Sequence, residues 1–137
     1  MESLYVAMHE RLNERLGGLL LARPAGGDLE SRIGTFIEER TRLYERMLPY
    51  LRSSQILRWR SDFLQAQYVQ DNRGLRNQLI RFFPELKNAP TDLLEAMDNA
   101  TSLEAWDRLR DLQSLSRARS AAVQRRTVEA LLAETKV

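Results

Sequence analysis

A chain of 137 residues can bury one self-sufficient core and is short for two. It has no cysteine, which excludes disulfides, a thiol nucleophile and a cysteine-bound metal, and its single histidine, His9, would need carboxylates or a second chain to complete a zinc site. Nineteen of the 21 basic residues are arginine, 19 acids nearly balance them, and the net charge is +2; the two signs are interspersed as on the wet faces of helices, so a pI near 9.3 does not by itself point to nucleic acid.

The N-terminus, MESLYVAMHERL, is charged and periodic and lacks the plan of a signal peptide. The longest apolar run, Leu19 to Ala22, is far short of the ~20 residues of a membrane span. The expectation is one soluble, cytoplasmic domain over residues 1–137 with no membrane partner.

Helical spacing dominates throughout, and no segment alternates long enough to be a strand. The first predicted helix runs from Glu2 to Ala22, with Leu4, Met8, Leu12, Leu16, Leu19 and Leu20 on one stripe. Arg23-Pro24-Ala25-Gly26-Gly27 ends it, and Asp28 is a good N-cap for the second helix. That helix carries Leu29, Ile33, Phe36, Ile37, Leu43, Tyr44 and Met47 on its apolar face, with Arg40 among them. Pro49 predicts a break, followed by a short third helix from Tyr50 to Trp59.

Ser61 or Asp62 caps a fourth helix that ends near Phe83 and Pro84. Its stripe of Phe63, Leu64, Tyr68, Leu75, Leu79, Phe82 and Phe83 is interrupted by Asp71 and Asn72, and Gly74 weakens it by ~1 kcal/mol relative to alanine. Thr91 is the expected cap of a fifth helix from Asp92 to Leu112, on the spacing of Leu93, Met97, Ala100, Leu103, Trp106 and Leu109. After a turn at Gln113 to Leu115, Ser116 caps a last helix from Arg117 to Glu134, whose face is Ala118, Ala121, Ala122, Val128, Leu131 and Leu132. The expected fold is all-α, a bundle of about six helices.

Two features suggest function. The terminal hairpin has one apolar face for its own chain and a second, lined with alanines, that has no obvious partner. Two such hairpins about a two-fold axis would make a four-helix bundle, unless the hairpin packs only within its own chain. A helical adaptor that binds another protein through the same face is an alternative, and so is a non-specific DNA binder that uses Arg117, Arg119, Arg125 and Arg126 on phosphates. The second feature is the polar break at Asp71 and Asn72, on the face of Tyr68 and Leu75, with Arg40 on the face of Phe36 and Tyr44. Polar groups on an apolar face are hydrogen-bonded or wet. They are an ion pair such as Arg40 with Asp71, or simply exposed at a helix bend, or the polar groups of an aromatic-lined cavity.

Catalytic signals are lacking. There is no glycine-rich phosphate loop, no G-x-S-x-G elbow, no H-E-x-x-H and no Glu-x-x-His, and the acid pairs Glu38-Glu39 and Glu10/Glu14 have no histidine at metal spacing. No enzyme activity, metal or cofactor is expected.

Three stretches in order, MESLYVAMHERL, FIEERTRLYERMLPYLRSS from Phe36 to Ser54, and LEAWDRLR followed by LSRARSAAVQRRTVEALL, resemble the C-terminal regulatory domain of TetR-family transcriptional regulators. The resemblance covers nearly the whole chain and implies an all-helical domain dimerising through its last two long helices. It places the dimer surface at Ala96, Ala100, Trp106, Ala118, Ala121, Ala122, Val128 and Leu131. It implies a pocket for a small apolar or amphipathic effector, drawn from Phe36, Arg40, Tyr44, Phe63, Tyr68, Asp71 and Trp106. The three-helix DNA-reading head of the family has no counterpart before Met1, so specific operator binding is not expected of this chain.

Overall fold

A computed structural model describes residues 7, 10, 26–58 and 60–136, with the backbone alone for 54–58 and 136. The first predicted helix therefore lies outside the described residues, save for Ala7 and Glu10, and so do His9 and Trp59.

Among the described residues every regular element is helical: α1 (Leu29–Arg58), α2 (Asp62–Phe82), a 3₁₀ turn (Pro84–Asn88), α3 (Thr91–Ala100), α4 (Leu103–Asp107) continuing into a π turn (Arg108–Leu112), and α5 (Arg117–Ala133) with a closing 3₁₀ turn (Glu134–Lys136). The caps follow the sequence closely. Asp28 Oδ1 accepts from the Ser31 N–H at 2.8 Å, Ser61 Oγ from Leu64 at 3.2 Å, and Ser116 Oγ from Arg119 at 3.1 Å. Each satisfies a main-chain donor that the first turn leaves free. Thr91 does not cap: it is the first helical residue, after Pro90, and its side chain makes no cap bond.

Two predicted boundaries are corrected. Pro49 does not divide the second and third helices; α1 runs through it for 30 residues. The proline ring is exposed, while Leu48 and Leu51 on either side are buried. Only the bond that the Glu45 carbonyl would accept is lost, and the flanking side chains hold both halves to one core. Conversely, the single helix predicted from Asp92 to Leu112 is broken at Thr101 and Ser102. Thr101 Oγ1 turns back onto the Met97 carbonyl at 2.7 Å, and Ser102 Oγ starts α4 by accepting from the Ala105 N–H at 3.1 Å. Ser and Thr offer the main chain these alternatives to a continuous ladder.

α1 is the central strut. Its first half packs Ile33, Phe36 and Ile37 against Leu79 and Phe82 of α2, Phe83 just after it, Met97 of α3, and Val128 and Leu132 of α5. Its second half packs Leu43, Tyr44 and Leu48 against Leu75 of α2 and Leu103 and Trp106 of α4. α5 runs antiparallel to α1, with Gly34 beside Arg125 and Thr41 beside Ala118 and Ala121. The face of α5 turned to the core is Ser120, Gln124, Val128 and Leu132, one residue every four. That seam is more polar than the predicted stripe, and it leaves Ala118 and Ala122 exposed. No helix among the described residues is long and apolar enough to cross a membrane.

Candidate functional site

Arg40 is 1 % exposed in the middle of α1 and has no carboxylate partner among the described residues. Four neutral acceptors take its hydrogen bonds: Nε donates to Gln78 Oε1 at 2.7 Å, Nη1 to the Tyr44 hydroxyl at 2.8 Å and the Thr101 carbonyl at 2.9 Å, and Nη2 to the Leu75 carbonyl at 2.6 Å. The guanidinium carbon sits 4.6 Å from the Phe36 ring centroid and 5.7 Å from that of Tyr44. A cation taken out of water is tolerable only when its donors are satisfied, and the fork shape of arginine suits acceptors spread over three helices. Tyr44 donates in turn to the Thr101 carbonyl at 2.5 Å. Burial pushes its phenol upward, against the pull of Arg40, so it stays a neutral donor. The Thr101 carbonyl therefore serves α1 at the point where α3 would otherwise run into α4.

This knot occupies the place where the sequence suggests a chamber. Phe36, Arg40, Tyr44 and Trp106 are closed into the core at 1 % exposure or less and line neither the cleft nor the groove described below. Phe63 is half-buried and likewise outside it. Arg40 and Asp71 are not paired. Of the seven candidates the structure brings Tyr68 and Asp71 to one cleft, a slot between the second half of α1, the first half of α2 and the start of α4. Leu51, Leu64, Leu75 and Leu103 form its floor, and Met47, Tyr50, Gln67, Asn72 and Glu104 complete it. The Tyr68 hydroxyl donates to Glu104 across the mouth. The free volume is about 40 Å³, room for one or two waters. The polar break at Asp71 and Asn72 thus marks the wet rim of a cleft. Glu104 escapes sequence reasoning because only the break at Thr101 turns it toward α2.

The terminal hairpin is tied down at its turn. Glu45 of α1 accepts from Arg110 Nη2 at 2.8 Å, from Arg110 Nε at 3.1 Å and from Trp106 Nε1 at 2.9 Å. Burial would raise the Glu45 carboxyl, but these bonds outweigh it and hold it below its ordinary value. Arg110 Nη1 also reaches the Leu115 carbonyl at 2.9 Å, which fixes the turn to α1 through one side chain. Gln124 Nε2 donates to the Ala100 carbonyl at 3.3 Å, joining α5 to the end of α3.

Of the predicted dimer residues, Trp106 and Val128 have no exposure and belong to the core of the single chain, because the α5 seam turns Val128 toward Met97 and the Glu45 bond draws Trp106 inward. Leu131 and Ala121 are partly buried against that core. Ala96 and Ala100 are half-buried, and Ala118 and Ala122 are exposed. Ala118 and Ala121 also line an open groove of about 490 Å³ with Gly34, Ile37, Glu38, Thr41 and Arg117. Among the described residues only Val69, Leu112 and Val123 are large apolar side chains left exposed, and two of these, Leu112 at 71 % and Val123 at 40 %, lie on the hairpin.

The described residues contain no group of three or more histidines, aspartates or glutamates placed to hold a metal ion. The features that remain are an all-helical bundle, a tight acid-rimmed slot and a hairpin whose outer face mixes alanines and Val123 with Arg119, Arg126 and Glu129. No family model, no curated protein and no solved structure matches the chain.

Proposed function

We propose that the chain is the effector-sensing and homodimerising domain of a TetR-like transcriptional regulator, a binding module in a bundle of that type. The observation that carries the reading is the outer face of α5. Ala118, Arg119, Ala122, Val123, Arg126, Glu129, Ala130 and Ala133 are all exposed and fall on one side of the helix. Small side chains let a second helix approach closely, and Val123, a large apolar side chain left in water, favours burial.

The face is also self-complementary. Laid antiparallel on a second copy, with the two-fold axis crossing the outer face at the level of Gln124, Arg119 falls level with Glu129 of the second copy, which within its own chain pairs with Arg125 at 2.6 Å, and Ala118 level with Ala130, each pairing occurring twice. An isologous interface requires this relation.

Sensing would run through the same elements. Leu75 and Leu103 floor the slot, and the Leu75 carbonyl and the Thr101 carbonyl are both held by Arg40. A ligand that parts α2 from α4 pulls on this clamp and changes the angle at which α4 carries the hairpin. It shifts the population by no more than its differential affinity for the two arrangements. The test is the mass in solution. Sedimentation at micromolar concentration should give a dimer, and Ala122→Arg should give a folded monomer. A wild-type monomer, or a dimer indifferent to Ala122→Arg, overturns the reading, and a preference for a different protein over itself identifies an adaptor instead.

A further inference from the structure

We infer that the groove between α1 and α5 takes a small carboxylate with a short apolar tail, its head group on Arg117 and Thr41 and its tail on Ile37, Ala118 and Ala121; the inference does not rest on the sensing reading. The groove is open and holds about 490 Å³, a size within the range of small-molecule sites. Thr41, on its α1 wall, is 6 % exposed, and its Oγ1 has no hydrogen-bond partner. A buried hydroxyl left without a partner is costly, so a ligand that accepts from it is favoured. The α5 residues that line the groove with Thr41, Ala118 and Ala121, are small, and a slight parting of α1 from α5 brings the hydroxyl onto a head group. Beside them Ile37 offers apolar surface for the tail.

The head group is an anion because the α5 end of the groove is positive. Arg117 and Ala118 are the first two residues of α5, whose first turn holds no acid. Ser116 Oγ takes the Arg119 N–H, and the N–H groups of Arg117 and Ala118 have no partner among the described residues. A helix N-terminus in this condition favours negative charge. The Arg117 side chain is exposed and makes no ion pair among the described residues. Two carboxylates lie near it, and both are engaged. Glu38, 72 % exposed and screened by water, pairs with Arg42 at 3.3 Å. Glu45, which feels the Arg117 charge, is held by Arg110 and Trp106. A planar carboxylate matches the fork of a guanidinium and accepts from a hydroxyl as well. A cation on the same spot meets Arg117 and the helix end, and a neutral ligand gains from the apolar wall alone.

The experiment is an amide NMR titration of the full chain with phenylacetate, 2-phenylethylammonium and 2-phenylethanol, which share one apolar group and differ in charge. Expected are shifts at Ile37, Thr41, Ala118 and Ala121, with the acid binding about tenfold or more tighter than the other two. Arg117→Gln, an exposed change that leaves the core intact, should remove the acid's advantage without weakening the alcohol. Thr41→Val keeps the shape of the side chain and should weaken the acid about threefold or more. Equal or tighter binding of the amine or the alcohol at these amides overturns the inference, as does an advantage of the acid that survives Arg117→Gln. No shift at these amides with any of the three overturns it as well, and leaves self-association, which sedimentation reads, in place.

Discussion

Arg40 and Thr101 are 61 residues apart in the sequence, and the guanidinium of one holds the main-chain carbonyl of the other at 2.9 Å. The Tyr44 hydroxyl shares that carbonyl. A carbonyl claimed twice from the side by α1 is poorly placed to continue a helical ladder, and Thr101 and Ser102 supply the side-chain bonds that end α3 and start α4. The buried cation thus sets the path of the main chain as well as filling space.

Removing this clamp should be costly. Arg40→Met keeps the bulk and deletes the donors, so that Gln78 Oε1 and the Leu75 and Thr101 carbonyls each lose one buried hydrogen bond. At about 1–3 kcal/mol for a buried acceptor that loses a charged donor, a loss of about 3 kcal/mol is expected. Tyr44→Phe removes one hydroxyl while Arg40 still reaches Thr101, so about 1 kcal/mol is expected. Urea unfolding of the two variants checks the order. Equal losses would contradict the central role of the guanidinium.

The carboxylates of α1 should give opposite responses to pH. Glu39 is raised, chiefly by burial, and its Oε2 has no partner. Its folded pKa lies above the unfolded value near 4.3, so its contribution to stability falls as pH rises through that interval. Glu39→Gln should therefore stabilise at pH 7 and be neutral near pH 3. Glu45 is lowered: burial opposes the shift, but the Arg110 and Trp106 bonds outweigh it. Its contribution is present above the unfolded value and lost as pH falls through the folded one. Glu45→Gln should cost about 1–3 kcal/mol at pH 7 and little at pH 3. Thermal unfolding of both variants at the two pH values measures this.

Ser114, in the hairpin turn, has φ of 53°, a left-handed conformation that favours glycine. The Leu115 N–H reaches back to the Leu109 carbonyl at 3.0 Å and holds it there. Ser114→Gly should raise stability by about 1 kcal/mol. Gly34, within α1, should respond in the same direction for a different reason. A Cβ there meets only Arg125 Nη1 at 3.5 Å, an ordinary contact with the end of a flexible side chain. Gly34→Ala should stabilise by about 0.5–1 kcal/mol through helix propensity. Denaturant midpoints of the two single variants and their double should add, since the sites share no partner.

The helical class and most helix starts were legible because apolar spacing and caps are local signals: Asp28, Ser61 and Ser116 each cap where the sequence places a start. The errors lie where distant contacts override local preference. Pro49 reads as a stop, yet core contacts through Leu48 and Leu51 carry α1 past it. Thr101 reads as mid-helix, yet Arg40 and Tyr44 take its carbonyl. At the site, Arg40 stands out as an anomaly on an apolar face, but its neutral partners Gln78 and Leu75 have no signature in the sequence. Asp71 and Tyr68 are found by their break in the stripe of α2, whereas Glu104 depends on the turn at Thr101. Ala118 and Ala122 read as one apolar stripe with Val128, yet only Val128 is taken into the core.

The central claim is that α5 recognises itself, with Arg119 of each copy against Glu129 of the other. Arg119→Glu and Glu129→Arg test it as a pair. Each variant alone places like charges in contact twice, which costs association. Mixed, they place opposite charges at both contacts. Sedimentation equilibrium should find each variant monomeric by itself and a one-to-one heterodimer on mixing. Two variants that dimerise as well as the wild type when alone, or that stay monomeric when mixed, would contradict the account.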